Sequence, residues 1–113
     1  MSWKKIIKYD DRMEVRDEVE NTFTDFLPDK IESLDELAPT IESTLMDKVG
    51  NVLYFTVVDD PHKADYSDKV YVEVSAYADD DSEYYQGTFD GYVVFKPTKD
   101  GYEFIEATES GVY

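Results

Sequence analysis

The stretch "DKVYVEVSAYA" (68–78) decides the fold class. Val70, Val72, Val74 and Ala76 fall on one side of it; Tyr71, Glu73, Ser75 and Tyr77 fall on the other. An unbroken period of two in β-branched and aromatic residues is the pattern of a half-buried strand. Its valine side needs a core and its tyrosine side does not, so the neighbouring segments must supply both a sheet and a cover.

Downstream, "EYYQGTF" and "GYVVFKP" (83–97) continue the extended pattern, interrupted by Gly87 and by Asp90-Gly91. They form either one long strand with a bulge or two short strands joined at Asp90-Gly91. Asp100-Gly101, flanked by apolar segments, predicts a hairpin into a last strand, "YEFIEA" (102–107). The tail "TESGVY" takes no assignment. Upstream, "NVLYFTVVD" (51–59) reads as a strand.

Before residue 51 the period is helical. Val15, Val19, Phe23 and Phe26 recur at steps of four, four and three, with Asp11 and Glu14 placed as a capping box and Pro28 as the stop. Asp29 and Glu32 predict a second capped start, after which Ile31, Leu34, Leu37, Ile41, Leu45 and Val49 keep one face. Pro39 is expected to kink or split this region, and Gly50 to end it. The fold class is therefore α+β: two or three N-terminal helices packed on one face of a four- or five-stranded antiparallel meander. A length of 113 residues fits one domain, with a basic amphipathic segment at 1–10, helices in 11–50 and the sheet in 51–109.

The meander after helices, with its two Asp-Gly pairs, is similar to the sheet of cystatin-like and NTF2-like α+β rolls. Helices followed by a sheet, together with strong acidity, also resembles small inhibitors that imitate DNA. The first resemblance implies a ligand pocket between helices and sheet, the second an acidic surface offered to a basic partner. Neither rests on a motif, so neither carries site residues.

Twenty-seven acidic residues stand against eleven basic ones, a net charge of −16. Such a surface repels nucleic-acid phosphates and anionic lipid and steers basic partners inward. Solubility or adaptation to a salty cytoplasm explains the charge equally well. No cysteine is present, which excludes disulfides and thiolate sites, and no apolar run suits a signal peptide or a membrane span. A soluble, cytoplasmic protein is expected.

"SAYADDDSEYYQG" (75–87) invites a metal reading, but it fails the EF-hand pattern. From Asp79, the sixth position is Tyr84 rather than glycine and the twelfth is Asp90 rather than glutamate. A solvated turn is the simpler account. His62 is the only histidine and no glycine-flanked nucleophile serine accompanies it, so catalysis and histidine metal sites are disfavoured. No metal and no cofactor are expected.

Surface recognition remains. Ten tyrosines are many for this length, and Tyr71 and Tyr77 lie opposite the valine face, where they suit either a binding face or plain cross-strand pairing. The sequence thus predicts a non-enzymatic acidic protein that occupies a basic protein surface, of the nucleic-acid-mimicking or immunity type. The alternatives are a ligand-binding roll and a subunit of a larger assembly. Asp59, Asp60, Asp65, Asp68, Asp79, Asp80 and Asp81, with Tyr71 and Tyr77, are the candidate contacts. In "MSWKKIIKY" (1–9), Trp3, Ile6 and Ile7 share one helical face, with lysines around them. They are expected to dock on their own domain, or else to present an anchor to a partner.

Overall fold

The computed structural model describes residues 12–63, 67–79 and 81–109. The expected positions of Trp3, Ile6, Ile7, Asp11, Asp65 and Asp80 lie outside the described residues. The chain runs β1 (Met13–Glu14), α1 (Val15–Phe26), β2 (Lys30–Ile31), a 3-10 turn (Leu34–Glu36), α2 (Leu37–Val49) and β3 (Tyr54–Val57). It continues through β4 (His62–Lys63), β5 (Val70–Tyr77), β6 (Tyr85–Gln86), β7 (Thr88–Thr98) and β8 (Gly101–Glu109). Among the described residues this is an α+β fold with two helices and a curled antiparallel sheet.

The main sheet has the order β2-β8-β7-β5-β3, and β4 pairs with β5 beyond β3. Four consecutive long segments, β3, β5, β7 and β8, are thus nearest neighbours, as a meander requires. The alternation in β5 holds: Val70, Val72, Val74 and Ala76 are buried, while Tyr71, Glu73 and Ser75 are half-buried and Tyr77 is exposed. Those four apolar residues share one core with Val15, Val19 and Phe23 of α1, Leu37, Ile41, Leu45 and Val49 of α2, and Phe89, Val93 and Phe95 of β7.

Several local expectations are corrected. The first helix begins at Val15, not at an Asp11 cap, and Glu14 occupies its N-cap without a side-chain capping bond. The backbone at 13–14 is drawn instead into a parallel pair with Tyr85 and Gln86, and Met13 N–H donates to Tyr84 O at 2.8 Å. Phe26 is exposed, with Lys48 Nζ 4.3 Å above its ring, and Leu27 takes the inward place. The Asp29 start is also displaced, because Lys30 and Ile31 form a strand against Glu103 and Tyr102. Helix α2 begins only at Leu37. Pro39 is then its third residue, inside the first turn, where no backbone N–H has an intrahelical acceptor to lose. It neither kinks nor splits the helix.

The Asp90-Gly91 pair is no turn. Strand β7 runs straight through it, with Asp90 opposite Ser75 and Gly91 opposite both Val74 and Glu109. Gly91 is required by space: any Cβ would overlap the Thr108 carbonyl oxygen. The break falls at Gly87, whose φ of +78° is a left-handed value. An irregularity lies between Val94 and Phe95, where Ile105 is the extra residue of β8. The last hairpin closes as Thr98 opposite Gly101, so the two loop residues are Lys99 and Asp100 rather than Asp100 and Gly101.

Candidate functional site

Residues paired directly across antiparallel strands point to the same face. The register therefore collects the outward set from β5 outward. Tyr77 lies opposite Tyr54 and Thr88, Ser75 opposite Thr56 and Asp90, and Glu73 opposite Tyr92. The result is a face of tyrosines, hydroxyls and carboxylates on the side away from the valine core.

Its exposed end is built on a pair of rings. Tyr54 and Tyr77 stack with centroids 5.2 Å apart and planes at 28°, and each is 51% exposed. The Tyr54 hydroxyl donates to Asp79 Oδ2 at 3.3 Å. The charge of Asp79, and then that hydrogen bond, hold the Tyr54 phenol above its ordinary pKa. Two rings fixed against each other have little rotamer freedom left to lose on binding. Further along, the Ser75 hydroxyl donates to Asp90 Oδ1 at 3.3 Å. Tyr71 is half-buried and meets Tyr92 edge-on at 6.0 Å, and His62 approaches Tyr92 at 6.4 Å. Tyr71 is thus less open to a partner than the exposed Tyr77.

The loop after β5 is an organised turn. Ser82 N–H donates to Asp79 O at 3.0 Å, and Ser82 Oγ accepts from the N–H groups of Tyr84 and Tyr85 at 3.3 and 3.1 Å. Arg12 Nη1 donates to Ser82 O at 3.1 Å and pins the loop to the start of the fold. A cleft of about 380 Å³ opens beside it, between Arg12, Tyr77, Asp79, Gln86 and Thr88. Asp79 and Asp81 are exposed. Among the described residues, no three His, Asp or Glu are grouped to hold a metal ion, and no helix is long and apolar enough to cross a membrane.

The predicted acidic residues are not one cluster. Asp79 joins the Tyr54–Tyr77 pair at the start of β3. Asp59 and Asp60 follow its far end, both exposed, with Asp60 N–H donating to Val58 O at 2.8 Å. At ~3.4 Å per residue the strand from Tyr54 to Val57 alone holds the two groups about 10 Å apart. Asp68 is exposed in the segment leading into β5. Tyr54, Ser75 and Asp90 belong to the face and were not among the candidates. Strand alternation sets Tyr54 on the side away from Phe55 and Val57, and only the β3–β5 register puts it on Tyr77. Comparison with protein-family models, with curated proteins and with solved structures found no match.

Proposed function

We propose that the chain is a non-enzymatic, cytoplasmic binding protein that occupies a basic protein surface with the outward face of its sheet. The exposed Tyr54–Tyr77 stack joined to Asp79 carries this reading. The two helices cover the valine face and leave the tyrosine face to the partner. The rings supply rigid apolar area with polar tips, which is what the centre of an interface uses. Asp59, Asp60, Asp68, Asp79 and Asp81 supply long-range attraction to a cationic partner, and the net charge of −16 turns nucleic acid away.

The two contributions separate kinetically. Against a panel of immobilised basic proteins, Asp59→Lys with Asp79→Lys slows association, and raising salt to 1 M, where screening reaches only ~3 Å, does the same. Tyr54→Ser with Tyr77→Ser mainly speeds dissociation. Binding that ignores both salt and the tyrosine pair, or no binding by the panel, refutes the proposal.

A further inference from the structure

Strand β3 ends the sheet order, and its backbone is half unused. Val58 N–H donates to Glu73 O at 3.0 Å, which fixes the alternation in this antiparallel pair. Tyr54, Thr56 and Val58 direct their backbone groups to β5, while those of Phe55 and Val57 point to the open edge. Their side chains pack against the core, so this backbone is held extended and in place. Among the described residues, nothing bonds to it.

Exposed edges are normally blunted by shortness, lysine, proline or a bulge. The edge Tyr54–Val57 is short, but it has no lysine, proline or bulge: its pairing with β5 is regular over all 4 residues. Flanking charge guards it as well, with Asp79 at one end and Asp59 and Asp60 at the other. A guard of charge is selective. It repels a second copy, which also bears −16, and it admits a cationic strand.

We propose that this edge takes an extended, lysine- or arginine-rich segment of a partner as an added antiparallel or parallel strand, a mode that rests on the binding function above and specifies how it is executed. The backbone of Phe55 and Val57 hydrogen-bonds the incoming strand. Alternate basic side chains of that strand lie on the outer face near Asp79, Asp59 and Asp60, and the Tyr54–Tyr77 stack receives the apolar stems between them.

The probe is a synthetic peptide of alternating lysine and threonine, with a glutamate–threonine peptide as control. Hydrogen exchange is followed residue by residue in the full chain. The lysine peptide protects the Phe55 and Val57 amides about tenfold or more, and the glutamate peptide protects neither. Val57→Pro removes one outward donor at an edge position that tolerates proline, and it weakens the lysine peptide about tenfold. Its melting curve is recorded alongside, and the wild-type exchange pattern stands whether or not this variant folds. Salt-sensitive binding of the lysine peptide without protection of Phe55 and Val57 overturns strand addition and leaves the binding function intact. Failure of every basic probe to bind removes both. Self-association of the chain with protection of the same two amides overturns the choice of a cationic occupant.

Discussion

Gly91→Ala tests the placement of the whole outer face. The glycine lies buried in the middle of β7, opposite Val74 on one side and Glu109 on the other. An ideal Cβ there would overlap the Thr108 carbonyl oxygen and come within 2.6 Å of Glu109 Cα, where real Cβ contacts essentially never fall below 3.0 Å. The neighbours are backbone, so no rotamer change relieves the clash. The end of β8 must retreat, which breaks the Gly91–Glu109 and Tyr92–Thr108 pairings and loosens the Arg16–Glu109 ion pair at 3.2 Å. Two lost backbone hydrogen bonds cost ~1 kcal/mol each, and overpacking adds ~1–3 kcal/mol. The exposed ion pair adds little. A total of about 3–5 kcal/mol is a large share of the ~5–15 kcal/mol that holds a domain together. At ~4–8 °C per kcal/mol for a chain of this size, the melting temperature falls by at least ~12 °C. Urea denaturation gives the free energy directly. If Asp90-Gly91 were instead a hairpin turn, alanine would cost only the ~1 kcal/mol of a left-handed residue. A measured loss near or below that value refutes the continuous strand.

Three further outcomes follow from the same geometry. Pro39→Ala changes stability by less than ~1 kcal/mol in a thermal melt, because the first turn has no N–H acceptor to regain; a gain near the ~3 kcal/mol of an interior helix proline would place Pro39 wrongly. Glu20 is held above its ordinary pKa by partial burial first, then by Asp17 and Glu109, against the pull of Arg16. A carboxyl raised in the folded state contributes stability that is fully present below its unfolded value and lost as pH rises through the folded one, so Glu20→Gln stabilises at pH 7 by a few tenths of a kcal/mol (~0.3) and not at pH 3, read from melts at both. Spectroscopic titration finds Tyr54 ionising above a free tyrosine, and Asp79→Asn lowers its midpoint towards the ordinary value; an unmoved midpoint denies the Tyr54–Asp79 contact.

The alternation of residues 70–77 determined a strand and its buried side, because period two needs only one sheet face to be apolar. The helical spacing of Val15, Val19 and Phe23, and of Leu37, Ile41, Leu45 and Val49, likewise determined which faces enter the core. The acidity and the absence of cysteine were plain from composition. Helix starts were not legible: Met13 and Glu14 pair with Tyr85 and Gln86, and Lys30 and Ile31 pair with Glu103 and Tyr102, some seventy residues away in each case, and such pairing overrides a local capping signal. Asp90-Gly91 looks like a turn because glycine permits one, whereas the tertiary structure uses the same glycine for the room that Thr108 takes. The Tyr54–Tyr77–Asp79 group depends on the β3–β5 register and on the Ser82 turn. A strand's own pattern fixes which way each side chain points, and only its neighbour fixes what that side chain meets.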